Sequence, residues 1–295
     1  MFPIFCLIFC LIFGIQVAGQ GTTLAGAPLV PAVRMLRPVI VKASNASRIA
    51  VLLTLINHAR AEVDLPALQL DDRLANAATN HAHIMAQKGQ LSHQFPGEPD
   101  LTGRLAPQVR LDQAGENVVY DVTVQGAHEA FMGSPLHRIN VLNGAYDSVG
   151  IGIVENGGVI YVVEDFAHRV PDLKNDDAAE RVAEQFSKFR QTAGAANLPH
   201  VGNGRLQQMA CSMAQHEALD GKAPFSLPRA RFAASYATVD PNQLPSNVAG
   251  LSTLNGIGHF SVGACYARTP KYPTGLYWVT IVLFEGRAST TIASR

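Results

Sequence analysis

Residues 115–166 constrain the fold more than any other stretch of this chain. They open on Gly115-Glu116-Asn117 and run through Phe131-Met132-Gly133-Ser134-Pro135-Leu136-His137-Arg138-Ile139-Asn140. They then reach Tyr146-Asp147-Ser148-Val149-Gly150-Ile151-Gly152 and close on Val162-Val163-Glu164-Asp165-Phe166. Residues 148–154 and 159–165 are apolar runs separated by Glu155-Asn156-Gly157-Gly158, a pattern that predicts an antiparallel hairpin. Just upstream, Leu91-Ser92-His93 adds a second histidine. Two histidines and two carboxylates beside turns, in so apolar a segment, predict a polar site in an oily domain.

At 295 residues the chain has room for one large or two ordinary domains. Hydrophobic residues make up 47%, enough for a core, and formal net charge is zero. A neutral chain without a basic run has no footprint for phosphate contacts, so no nucleic-acid partner is expected. Residues 2–17 are uncharged and almost wholly apolar. That is short for a membrane span, which needs roughly 20 residues, and suits a signal-peptide core. We assign 1–19 as a signal peptide. An uncleaved N-terminal anchor is the alternative, because no Lys or Arg precedes the apolar run; that leader is the only route to a membrane. Residues 20–47, rich in Gly, Ala and Pro, read as a linker.

Leu52, Leu53, Leu55, Ile56 and Ala59 have helical spacing, and Leu65-Pro66 ends that pattern. Asp71-Asp72 caps a second helix over 73–88, with Gly89 as its stop. Its His81 and His83 are two apart, so they face different ways and are read as surface or satisfied core. Residues 94–112 read as a loop and 127–132 as a short helix.

Five of these pieces occur in a familiar order: Asn57-His58-Ala59-Arg60, Ser92-His93, Gly115-Glu116-Asn117, Phe131 through Asn140, and Val149 to Gly152. Together they resemble the bacterial CAP (SCP-like, cysteine-rich secretory protein) family. The resemblance implies an α+β fold, a three-layer α-β-α sandwich over 48–170, with His93, Glu116 and His137 around one cleft. Some family members bind zinc or magnesium there, so His93 and His137 become metal candidates and a divalent cation (Zn or Mg) a candidate cofactor. Members often carry a second glutamate a few residues after a Trp. Here Phe131 stands at the Trp position and no carboxylate follows, so the tetrad is incomplete. Glu164 is a site-lining candidate without a matched counterpart.

Beyond a polar linker at 171–180 the pattern recurs. Residues 182–190 echo the first helix, Arg205-Leu206 echoes Arg73-Leu74, and Ser261-Val262-Gly263 echoes Ser148-Val149-Gly150. The second stretch lacks Gly-Glu-Asn and Ser-Pro-x-His-Arg, and has Phe225-Ser226 where the first has His93. We read 181–288 as a smaller, degenerate CAP-like α+β unit; an unrelated α+β extension is the alternative. Cys6 and Cys10 fall in the leader, leaving Cys211 and Cys265 to form one disulfide or two buried thiols.

A histidine pair with a carboxylate can hold a metal, shuttle protons or close a buried network. His93, Glu116, His137 and Glu164 are the candidates for any catalysis. Ser92 and Ser134 lie near histidines, but no nucleophile elbow accompanies them. The leading expectation is a secreted, periplasmic or cell-surface CAP-domain protein that binds a small or lipid-like ligand, a divalent metal or a cell-envelope component. The alternatives are a metal-assisted hydrolase and a structural surface module.

Overall fold

Apolar spacing and caps set the two long helices of the first half. The computed structural model describes residues 44–286. Helix α1 (Asn45–Ala61) starts where Ser44 Oγ accepts the Ser47 N–H at 3.2 Å, inside the expected linker. Helix α2 (Asp72–Lys88) starts where Asp71 accepts the Arg73 and Leu74 N–H groups, and ends at Gly89 with φ 62°. The leader, Cys6 and Cys10 lie outside the described residues. Among those residues, no helix is long and apolar enough to cross a membrane.

Strands β1 (Gln69–Leu70), β2 (Leu111–Asp121), β3 (Ser148–Asn156) and β4 (Val159–Arg169) form a sheet in the order β1-β3-β4-β2. Strand β1 is parallel to β3, and the other pairs are antiparallel. Ala78, Ala82 and Met85 of α2 pack against Val118 and Val163 on one face. On the other face Val149, Ile151 and Phe166 meet α1 and Phe131 of α4 (Val124–Gly133), which leads into α5 (Pro135–Val141). That is an α-β-α sandwich. Helix α2 lies so close that a Cβ on Gly150 would stand 2.2 Å from the Leu74 carbonyl carbon.

A buried arginine fastens the loops on the α1 side. Arg60 is fully buried and donates to Pro66 O at 2.8 Å, Val141 O and Asn143 O at 2.9 Å, and Tyr146 O at 3.2 Å. One planar cation thereby serves four carbonyls, of which Asn143 O also accepts the Tyr146 N–H at 3.3 Å.

The second half runs through a similar but shorter series of elements. It comprises α6 (Asn175–Thr192), α7 (Gly204–His216), a 3-10 turn (Ala223–Ser226), β5 (Ala230–Thr238), α8 (Ser246–Leu251), β6 (Ile257–Ala267) and β7 (Leu276–Glu285). Its sheet order, β5-β7-β6, matches β2-β4-β3, with the last strand central. Arg190 is buried and donates to Ala196 O, Ser252 O and Leu254 O, and a Cβ on Gly263 would stand 2.2 Å from the Leu206 carbonyl carbon. The expected linker at 171–180 is already helical from Asn175. Asp176 and Asp177 lie in that first turn, where acidic side chains favour a helix start.

No hinge-like gap separates the halves, because the described residues fall in one compact unit. Tyr277 of β7 is the fastening point. Its hydroxyl accepts from Leu173 N at 2.9 Å and from Arg110, whose guanidinium also lies 3.5 Å over the Tyr266 ring. A disulfide joins Cys211 of α7 to Cys265 of β6, with Cα atoms 5.0 Å apart, tying helix to sheet across 54 positions of sequence.

Candidate functional site

Strand β2 is the outer strand of its sheet, and its alternation sends neighbouring side chains to opposite faces. Glu116 points to the α2 face. Its Oε1 lies 2.8 Å from His93 Nδ1, and its Oε2 accepts from Arg104 of α3 (Leu101–Leu105). Asp100 starts α3 by accepting the Gly103 N–H at 2.7 Å, which aims Arg104 back at the sheet. Arg104 also donates to His93 O at 3.0 Å and to Glu98 Oε1 at 3.3 Å. His81, fully buried on α2, has Glu98 Oε1 2.7 Å from Nδ1 and Ser92 O 2.7 Å from Nε2. The outcome is a closed network of two carboxylates, one arginine and one buried histidine, with the exposed His93 ring at its rim.

Asn117 points the other way. Its amide donates to His137 O at 3.1 Å and to Glu164 Oε2 at 3.0 Å, while Asn140 donates to Glu116 O at 3.2 Å. Gly115 makes room for this packing: a Cβ there would stand 2.5 Å from the Tyr146 hydroxyl. The His137 ring is half-buried, edge-on to Phe131 at 5.5 Å between centroids.

The environment separates the titrations of these groups. The hydrogen bond to Glu116 raises the His93 pKa, outweighing partial burial. Burial lowers that of His137, and the nearby charge of His93 lowers it further. Burial holds Glu164 protonated, with a pKa pushed up to about 8. Asp165, paired with Glu116 across β2 and β4, is pushed well above the usual carboxylate range by burial and by the Glu116 charge. Glu98 is held low, because hydrogen bonds from His81 and the Phe95 N–H outweigh its burial.

The four predicted residues therefore do not form one cluster. His93 and Glu116 meet directly, and His137 is near enough to feel the charge of His93. Glu164 is corrected: it is wholly buried on the opposite face of the sheet from Glu116, bonded to Asn117, and lines no open cleft. Strand alternation is the cause, since Glu164 pairs with Asn117 in the register and Asp165 with Glu116. Sequence reading missed Arg104, Glu98 and the part played by His81. Residues 94–112 had no period to reveal α3; the one local signal was Asp100 standing before Leu101-Thr102-Gly103.

These donors do not fit a divalent cation. Both Glu116 oxygens are taken, one by a guanidinium that competes with any metal, and His93 Nδ1 is bonded to the same carboxylate. Among the described residues no three His, Cys, Asp or Glu side chains converge on a point that could hold a metal ion. His93 and His137 are thus not joined by a third donor of that kind among the described residues. A Ser-His pair is also not formed by Ser92, whose Oγ donates to Gln94 O at 2.6 Å.

Sandwich and site together define a CAP-type domain. Residues 53–166 match the family model described as the cysteine-rich secretory protein family, and this part of the chain is a bacterial CAP domain. The chain is 32% identical over 109 residues to the uncharacterized protein YkwD of Bacillus subtilis, covering 36% of this chain and 42% of that protein. It is 33% identical over 104 residues to the uncharacterized membrane protein YlbC of the same organism, covering 35% and 30%. The chain thus spans less than half the length of either relative. An extracellular SCP-domain protein of Bacillus anthracis aligns at 23% identity, TM-score 0.39, over 43% of this chain and 45% of that one.

Proposed function

We propose that this is an exported binding protein whose CAP domain recognises the polar head of a small or lipid-like ligand, or of a cell-envelope component, through His93 and His137. The observation that carries this reading is the engagement of Glu116. Its carboxylate is buried and already bonded to Arg104 and His93, so it is neither a free base nor a free ligand. What remains at the rim is an imidazole ring oriented by a carboxylate, with its second nitrogen open to a partner. No group in the network is free to attack a carbonyl, so recognition fits better than hydrolysis. The apolar leader pattern and the Cys211–Cys265 bond support an oxidising compartment, hence secretion or the cell surface.

We read the second half as a degenerate CAP-like copy. The shared strand order, the buried arginine and the glycine under the helix support that reading.

A second reading has its own observation: Glu98, His81, Arg104 and Glu116 pair chiefly with one another, as a structural core would. One experiment separates the two. Full chain is purified gently from native extract and its small molecules are identified by mass spectrometry, beside His93→Ala and His137→Ala. The binding reading expects a ligand in the wild type that both variants lose with little change in melting temperature. Variants that melt early, from a wild type that carries nothing, establish the structural reading.

A further inference from the structure

The region of the second half equivalent to that around His81, Glu116 and Asp165 is not filled. Strand register gives the equivalence. On β4, Asp165 pairs with Gly150 of β3 and with Glu116 of β2. On β7, Thr280 pairs with Gly263 of β6 and with Ser235 of β5. Gly150 abuts Leu74 of α2, and Gly263 abuts Leu206 of α7. Two helical turns beyond those leucines stand His81 and Met213. The counterparts of His81, Glu116 and Asp165 are therefore Met213, Ser235 and Thr280.

These three residues line one cavity of about 350 Å³, which Met209 and the exposed Leu219 extend toward solvent. Chain length explains why it is open. Twenty-two residues, 89–110, separate α2 from β2 and carry the Phe95, Glu98 and Arg104 that fill the first half's site. Only thirteen, 217–229, separate α7 from β5, too few to fold a second α3 over the sheet. The small side chains of Ser235 and Thr280 leave the vacated volume unoccupied.

We propose that this cavity is a second binding site, independent of the His93 rim, and that it takes a neutral, largely apolar molecule bearing a single hydroxyl. Its volume falls in the usual range for small-molecule pockets, roughly 300–1,000 Å³. Met209 and Met213 give it a soft, adaptable wall suited to alkyl groups. Polar contacts come from paired hydroxyls: Ser235 Oγ donates to Asp220 O at 2.8 Å and lies 3.3 Å from Thr280 Oγ1. Lys and Arg are absent from its lining; its one imidazole, His216, has Nδ1 2.8 Å from Ser212 O, and the Asp220 carboxylate disfavours an anionic head. The first half selects by charge and the second by shape and apolarity.

The test is a methyl NMR titration of the full chain labelled at methionine, with 1-decanol and decanoate as probes. Decanol is expected to shift the Met209 and Met213 methyls saturably and leave those of Met85 and Met132 in place. Decanoate at pH 7.5 is expected to bind about tenfold or more weakly, because no Lys or Arg lines the cavity and the Asp220 carboxylate repels it. Ala218→Trp, which adds bulk at an exposed lining position, is expected to weaken decanol about tenfold, with the Met85 signal unchanged; Ala223→Leu adds bulk at a second lining position. A wild-type titration without saturable shifts at Met209 and Met213 overturns the site, as does undiminished affinity in both filled variants. Decanoate binding as tightly as decanol overturns the neutral class of ligand.

Discussion

The two halves of this chain share a scaffold and differ in what they place on it. Each half stretches a buried arginine from its first helix to loop carbonyls, Arg60 to Pro66 and Arg190 to Ala196, at the same offset of six residues. Each lays its second helix on a glycine of a neighbouring strand, and each closes on a central last strand. At matching positions the first half then has Glu116, Asp165 and His81, covered by α3, while the second has Ser235, Thr280 and Met213, uncovered. The difference teaches that fold and site are separable in this molecule. Carbonyl satisfaction and close helix–sheet approach hold the sandwich, and neither needs the charged network.

The arginines offer the strongest test of the shared scaffold. Arg60→Leu removes the donors to four carbonyls and is expected to cost about 4 kcal/mol in urea unfolding. Arg190→Leu frees three carbonyls and is expected to cost about 3 kcal/mol. A negligible effect from either variant would break the comparison at its base.

Glu164 sharpens the difference with a pH dependence. Its counterpart in the register is Val279, so only the first half carries a buried acid there. Because burial raises the Glu164 pKa to about 8, the folded state binds a proton that the unfolded state releases near the ordinary carboxyl value of 4.5. Its share of stability is complete below 4.5 and is lost as pH rises toward 8. Glu164→Gln, which stays neutral and can still accept from Asn117, is expected to flatten that slope and to add on the order of 2 kcal/mol at pH 8. Asp165 contributes in the same direction and remains in the variant, so some slope persists. Identical pH profiles for variant and wild type would show that Glu164 is solvated.

The smallest effect is at the rim. Side-chain NMR is expected to show His93 titrating above His137, since the hydrogen bond to Glu116 raises one while burial lowers the other. Glu116→Gln should bring the two together. The opposite order would mean that the His93–Glu116 contact is not kept in solution.

Several of these elements were legible in sequence. The caps at Asp71 and Gly89, the hairpin turn at residues 155–158 and the apolar period of α1 are local signals, and each element forms where its signal lies. Residues 94–112 defeated that reading, because α3 is a five-residue helix whose stability comes from the contacts of Arg104 with Glu98 and Glu116. Residues 171–180 looked polar enough for a linker, yet α6 begins inside them, since its acidic first turn also suits a helix start.

By itself the sequence determined the two long helices and the 148–165 hairpin of the first half. Those outcomes depend on neighbours a few residues apart, whose periods and caps are written in order along the chain. Only tertiary structure decided which face each carboxylate takes. Glu164 and Asp165 are adjacent in sequence, but the β2–β4 register sends one into the core beside Asn117 and the other beside Glu116. It also decided that Arg104, twelve residues before Glu116, closes on that carboxylate, and that thirteen residues after α7 leave the equivalent volume open. Register and loop reach are relations between distant segments, and no local pattern encodes them.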